Sequence, residues 1–465
     1  VQPDHLHIRR REFTALAGAG VVGALSGCSS EAPPPAALAP GEWSNWSGLE
    51  RCKPQRIVSP TSEEQLAETL RSATGPVRFV GAGHSFTALV PTPMTLVMMD
   101  GLSGVVSHDA AAKTAVVRGG TRIAIVAPEL DTRGLALPNQ PDISVQSMAG
   151  SFATATHGTG ATLPAMHAQI RSLRLVTANG RVMTASRDQS PELFHAARVS
   201  LGALGALTEV ELQLQPRFFL RRRVWTQTTD ELLANAPDHA KKHRHFELFV
   251  LPHTGWGAGI THDDVPVTTA PFHAASDDED ALNDLRRLRD LLARFPSMRR
   301  WVAGKAMGDR EEVSVDVSWR LLSNSRAARF NESEYHVPAQ NGVACLKDVI
   351  AAIESRPDTY YPIEFRFIAA DDAWLSPFHG RDSCSIAVHA AAGEEHAYLV
   401  KQLGPIFRKH GGRPHWGKLN DMSAAELAAA YPHWQDFHAV RRELDPQGKL
   451  LNPYLRKLFG EADHA

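Results

Sequence analysis

The chain has 465 residues, of which 43% are hydrophobic and 22% charged, with a formal net charge of −2. That length accommodates two or three domains with a sizeable core. The near-neutral balance gives no ground for a nucleic acid as partner or for general attraction to an anionic membrane. Four cysteines with no C-x-x-C spacing point to no cysteine-based metal site, and no metal is expected.

In chain order, the first segment reads as an export signal rather than as fold. Arg9-Arg10-Arg11-Glu12-Phe13 precedes a weakly apolar run from Thr14 to Leu25, too short to span a bilayer. The arginines followed by x-Phe resemble a twin-arginine signal. Leu25-Ser26-Gly27-Cys28 resembles a bacterial lipobox, with Cys28 as the lipidated first residue of the mature chain. Residues 1–28 are therefore expected to be a signal and 29–41, with Pro33-Pro34-Pro35, a tether. The implied location is periplasmic or cell-surface, with membrane contact through a lipid anchor at most.

Thr61-Ser62-Glu63-Glu64 predicts a capped helix to about Ser72. Val77–Val80, Met94–Met99 and Thr114–Val117 read as strands, and Thr121–Arg133 as a helix closed by Gly134. Leu173–Thr177, Asn179-Gly180 and Val182–Ala185 give a strong hairpin signal. Ser190–Val199 reads as a helix and Ala206–Gln213 as an alternating strand. Residues 42–216 thus form one α+β unit. Beyond Pro216, Arg217–Val224, Phe246–Leu251, Tyr361–Ile368 and Ser385–His389 read as sheet, with Arg221-Arg222-Arg223 at a solvated strand edge. Val265–Asp280 reads as a polar loop. Asp280–Lys305 reads as one amphipathic helix with Leu282, Leu285, Leu288 and Leu292 on a stripe, and Ser423–Glu443 as another helix. His243 and His245 read as a solvated pair.

No G-x-S-x-G, H-E-x-x-H, Walker or EF-hand pattern occurs, so hydrolase, zinc-protease and nucleoside-triphosphatase chemistry lack support. Four short clusters stand out. Gly81-Ala82-Gly83-His84-Ser85 follows a strand, and its glycines allow backbone N–H groups to approach a phosphate. Gly150-Ser151 leads into Thr154-Ala155-Thr156-His157-Gly158-Thr159-Gly160, a second small-residue loop. In Glu364-Phe365-Arg366, alternation places both charges on one strand face. Arg413-Pro414-His415-Trp416-Gly417-Lys418 joins aromatic and cationic groups. Each alone also fits a bland reading, such as a packed loop, a surface ion pair or a capped turn.

Together, "GAGHS", "ATATHGTG", "WLSPFHGRDSC", "GGRPHWGK" and "ELDPQGKLLNPYL" resemble, in that order, the aldonolactone oxidase branch of the vanillyl-alcohol-oxidase-type flavoproteins. The likeness runs from about Trp43 to the end, and it departs at Ala155, where the family usually has glycine. It implies an α+β, two-domain flavoprotein: a PCMH-type FAD-binding domain over 42–216, a substrate (cap) domain over 217–405 built on an antiparallel sheet with helices, and a C-terminal segment, 406–465, returning to the flavin. It further implies FAD held covalently through His84, with Gly81, Ala82, Gly83, Ser85, Gly150, Ser151, Thr154, Thr156, His157 and Gly158 around the cofactor. Lys418, Arg366 and Glu364 would be catalytic: Lys418, beside another cation, as base or as electrostatic clamp, and Glu364 orienting Arg366 and bonding substrate hydroxyls. Ser151, His389 and His415 would touch substrate. The reaction implied is oxidation of an aldono-1,4-lactone, with electrons passing to oxygen or a respiratory carrier. The alternatives are an alditol oxidase acting on a terminal CH2OH and a non-catalytic sugar-binding lipoprotein.

Overall fold

The computed structural model describes residues 38–272, 278–306, 308, 310–323 and 328–461. The expected signal, most of the tether and Cys28 lie outside these residues. Among the described residues no helix is long and apolar enough to cross a membrane.

Besides two two-stranded pairs, the N-terminal half carries a three-stranded and a five-stranded sheet. Arg56–Val58 (β1), Val77–Val80 (β2) and Thr95–Met98 (β3) form a parallel sheet of order β1-β3-β2. Glu63–Ser72 (α1) links β1 to β2, as a parallel pair requires. Its cap is Ser62, whose hydroxyl accepts from Gln65 N–H, one residue later than the expected Thr61. Val105–Asp109 (β4), Thr114–Arg118 (β5), Ile170–Val176 (β6), Val182–Ser186 (β7) and Ala206–Gln213 (β8) form an antiparallel sheet of order β7-β6-β8-β5-β4. The Asn179-Gly180 hairpin is present, with Val182 opposite Val176 and Gly180 at φ +76°. Ile123–Asp131 (α2), Met148–Ala153 (α3) and Pro191–Ala197 (α4) complete this half.

The second half is organised by one eight-stranded sheet. Its strands are Phe219–Thr228 (β9), His245–Leu251 (β10), Trp256–Val265 (β11), Glu311–Val317 (β12), Phe330–Pro338 (β13), Ile363–Ile368 (β14), Ser383–Ala391 (β15) and Arg413–Pro414 (β16), in the order β12-β9-β11-β10-β14-β15-β13-β16. Neighbouring strands in it pair antiparallel. Directly opposed residues share a face, so its two faces can be read from the register. One face is apolar: Phe246, Leu248, Phe365, Phe367, Ile386, Val388 and Tyr335 belong to the main hydrophobic core. Helices Thr229–Lys242 (α5) and Gly342–Glu354 (α8, with α6 and α7 given below) contribute Leu232, Leu233, Ala236, Leu346 and Val349 to the same core. The other face is polar and equally buried, carrying His245, Glu247, Glu332, Glu334, His336, Glu364, Arg366, Ser385 and His389.

Three expectations change. The arginine triplet lies on β9, an interior strand paired to β11 and β12, with Arg223 bonded to Glu311 at 2.8 Å. Residues 280–305 form two helices, Asp278–Leu292 (α6) and Pro296–Ala306 (α7), because Pro296 cannot extend the first and suits the first position of the second. In the tail, Ala424–Ala430 and Trp434–Leu444 are likewise separate around Pro432. Of the expected loop 265–280, Phe272 bridges to Val315 and residues 273–277 lie outside the described set.

The strands of the large sheet begin at Phe219, after the pair Gln215–Pro216/Leu135–Ala136. The C-terminal segment does not stand apart: β16 extends the large sheet, and Val77 N–H donates to Lys449 C=O at 2.9 Å.

Candidate active site

Strand β2 ends in the turn Gly81–Ser85, and this turn lines a cleft open to solvent. Gly150, Ser151, Thr154 and Thr156 from α3 and its exit form the facing wall, and Gly202, Gly205, His415, Gly417 and Lys418 close it. The glycines are needed sterically. A Cβ on Gly81 would lie 1.9 Å from Ser147 Oγ, and Gly83 sits at φ +65°. Ala155 holds φ +60° although it is not glycine, which explains why a glycine belongs there; the conformation costs about 1–2 kcal/mol for an L-residue.

His84 lies at the mouth and stacks on Trp46, with ring centroids 4.4 Å apart. Burial, and then the nearby Lys418 charge, push its imidazole down to about 4, so it is neutral at ordinary pH.

The walls fit FAD on two independent observations. Arg78 is fully buried beside the cavity, and its bonds go to the carbonyls of Leu89 (2.7 Å), Leu201 (2.6 Å) and Leu450 (2.6 Å) rather than to a carboxylate. A buried cation without a counter-charge suits an anionic ligand. Gln146 Oε1, also in the wall, is buried with no partner among the described residues.

His157 and Gly158 do not line this cavity. His157 Nε2 lies 2.9 Å from Glu334 Oε1 and its Nδ1 lies 2.7 Å from Gly158 C=O. Thr159 Oγ1 donates to Phe246 C=O at 2.5 Å, and Gly160 N–H donates to Phe367 C=O at 2.7 Å. The second half of the glycine-rich string therefore seams the cofactor wall to the polar face of the large sheet.

That face carries two charged groups. In the first, Lys418 Nζ bonds Glu332 and lies 4.0 Å from Glu334 Oε2. Glu332 Oε1 is 3.6 Å from His389 Nε2, and His389 packs edge-on against Phe330. Burial raises Glu334, but His157, His415 and Lys418 outweigh this and hold its carboxyl well below the ordinary range. His415, buried, is pushed down to about 3. In the second group, Arg366 Nε donates to Glu247 at 2.7 Å, Nη2 bonds Glu364, and Asp142 lies 3.9 Å away. Burial opposes the guanidinium charge, and Glu364 and Glu247 more than restore it. Glu334 and Glu364 both oppose Ala387, so the groups sit two strands apart, about 10 Å.

The expected trio is thus on one face, but not as a contiguous set. Carboxylates, not a second cation, flank Lys418 among the described residues. The Glu364–Arg366 pair is buried, not a surface pair. His245 is also buried, its imidazole pushed down to about 3, while His243 pairs with Asp263 at 2.8 Å. Sequence reading missed Glu247, Glu332, Glu334, Asp142, Arg78 and Trp46. The signal was available for some: in Asn331–Val337 the polar positions 332, 334 and 336 alternate as 364 and 366 do.

A model of the FAD binding domain matches residues 54–186, the half that supplies the cavity turns, so the protein is an FAD-linked oxidoreductase. A cholesterol oxidase from Brevibacterium sterolicum has the same fold (TM-score 0.71, 17% identity, 92% of this chain and 99% of that one). The model of D-arabinono-1,4-lactone oxidase matches residues 210–458, more than half of the chain. An L-gulono-1,4-lactone dehydrogenase of Mycobacterium tuberculosis is 38% identical over 90% of this chain and 99% of its own. An L-gulonolactone oxidase of Bos taurus is 30% identical over 90% and 98%, and an alditol oxidase of Streptomyces 32% identical over 89% and 98%. The chain belongs to the D-arabinono-1,4-lactone oxidase family.

Proposed function

We propose that the protein oxidises the hydroxyl next to the carbonyl of an aldono-1,4-lactone, with electrons passing on to oxygen or a respiratory carrier. The observation that carries this reading is the position of Lys418. It lines the same cavity as His84 and at the same time bonds the carboxylates of the sheet face. FAD, when bound, supplies the hydride acceptor, and a covalent link through His84 would retain it.

The residues divide the remaining work. A lactone is neutral and rich in O–H donors, and the carboxylates of Glu364 and Glu247 are acceptors for them. Arg366 fixes both carboxylates by its planar fork. Lys418 Nζ would stabilise the oxygen that becomes partly anionic as its proton passes to a carboxylate of the same face such as Glu332, a gain larger in the transition state than in the ground state. Ser151 and His415 border the cavity, and His389 is tied to Lys418 through Glu332.

A second reading, oxidation of a terminal CH2OH of an alditol, is favoured by the alditol oxidase relative. Anaerobic bleaching of the flavin across a panel of aldonolactones and alditols tests both. Fastest bleaching by a lactone supports the first, fastest bleaching by an alditol the second, and bleaching by neither would sink both. On the sequence alone, export and lipidation of Cys28 are part of the same proposal; a chain beginning at Cys28 with added lipid mass is the expected product.

A further inference from the structure

The α6–α7 hairpin carries a patch that the chemistry above does not use. Leu291, Phe295, Met298 and Trp301 are 59%, 58%, 51% and 65% exposed, and four such side chains within eleven positions are not scattered surface residues. Every charged residue from Leu291 to Lys305 is basic: Arg294, Arg299, Arg300 and Lys305. Arg294, Arg300 and Lys305 are exposed around the apolar side chains.

The tip is held firmly. Arg299 is buried and donates to Thr359 C=O at 2.9 Å, and Ala303 is buried one turn on. Arg289 lies over the Tyr360 ring at 4.3 Å and bonds Glu394 at 2.9 Å. Leu282 and Leu285 pack in the cluster that contains Phe86, Phe330 and Trp46, the ring stacked on His84.

We propose that this tip docks the protein onto the interface of an anionic phospholipid bilayer. Apolar and aromatic side chains ringed by arginine and lysine are what an interfacial surface requires: the rings and Leu291 enter the headgroup boundary, and the cations meet lipid phosphates. A second copy of the chain is a poor occupant, because a two-fold contact would set Arg294, Arg300 and Lys305 against themselves.

The test is co-sedimentation of the full holoprotein, carrying Cys28→Ser so that no acyl chain contributes, with phosphatidylcholine–phosphatidylglycerol vesicles. Pure phosphatidylcholine vesicles are the comparison. Expected are binding to the anionic vesicles that weakens as salt is raised, and much weaker binding to the neutral ones. Phe295→Ser with Trp301→Ser, and separately Arg294→Glu with Arg300→Glu, should each lower binding about tenfold or more. Turnover with a soluble dye acceptor should be unchanged in both, which shows that they fold. Absence of binding by the parent, binding indifferent to salt, or variants that bind as the parent does would each overturn the proposal. So would a parent dimer that the serine variant converts to monomer, since the patch would then be a contact between copies. Vesicle binding needs no substrate, so its outcome is independent of which sugar is oxidised.

Discussion

Replacing Lys418 by methionine separates chemistry from structure at the centre of the site. The side chain is 16% exposed, and its partners Glu332 and Glu334 are each 5% exposed. Removing one member of a buried pair ordinarily costs about 3–5 kcal/mol. Two features reduce that here. Lys418 is partly wet, and Glu334 keeps His157 at 2.9 Å and the Ser385 hydroxyl at 2.5 Å. The loss therefore falls mainly on Glu332, which also lies 3.6 Å from His389 Nε2. A destabilisation of about 2–3 kcal/mol is expected in denaturant unfolding. Adding Glu332→Gln removes the stranded charge and should recover most of it. Flavin reduction should behave differently. In stopped flow under anaerobic conditions, at saturating lactone, Lys418→Met should be slower by about a hundred- to a thousandfold, and the double variant should stay slow. A single variant within about threefold of the parent, well short of the loss expected for a transition-state donor, would refute the assigned role. Recovery of rate in the double variant would refute it as well, since the stranded Glu332 charge would then be the cause.

His84→Ala should release the flavin to the supernatant on acid precipitation, whereas the parent keeps its colour in the pellet; colour retained by the variant would disprove the covalent assignment. Arg366→Lys keeps a charge but cannot serve Glu247 and Glu364 from one planar group, so reduction should slow about a hundredfold with flavin content and Tm measured alongside, and near-parental rates would refute the role. Stability should fall with acidification. His245 and His415 have folded values near 3, below the ordinary 6.5, so the unfolded chain binds the extra protons as pH drops through 6.5. At pH 5 each costs about 2 kcal/mol, and a denaturation midpoint unchanged between pH 7.5 and pH 5, about 1.5 units below the ordinary histidine value, would contradict their buried neutrality.

Much of the fold was legible because local rules and tertiary packing agreed. The Asn179-Gly180 hairpin and strand Ala206–Gln213 are where period and turn chemistry place them. Long helices were over-read because a continuous apolar stripe hid Pro296 and Pro432. The glycine turn at Gly81–Ser85 and the 364/366 alternation were visible, since both rest on nearest neighbours in sequence. Partners were not. Glu247 reaches Arg366 across 119 positions, and Glu332 reaches Lys418 across 86. Only the order of strands in the eight-stranded sheet makes those neighbours, and period alone does not fix strand order. His245 misled for the same reason: its segment looks polar, but its ring is covered by β11 and Thr159 C=O.

The two-faced sheet also determines what kinds of sequence change this enzyme can survive. In β14, Glu364 and Arg366 alternate with Ile363, Phe365 and Phe367. Losing or gaining a single residue there would turn every side chain of the strand over. Phenylalanines would crowd the catalytic side while a carboxylate and a guanidinium were driven into oil, a cost of several kcal/mol for each stranded ion. Substitutions on either side can be absorbed one at a time, but a frame slip is all or nothing. Length variation among functional descendants of this chain should therefore collect in the connections between strands, and the strands that carry the site should keep their residue count even where their sequences drift.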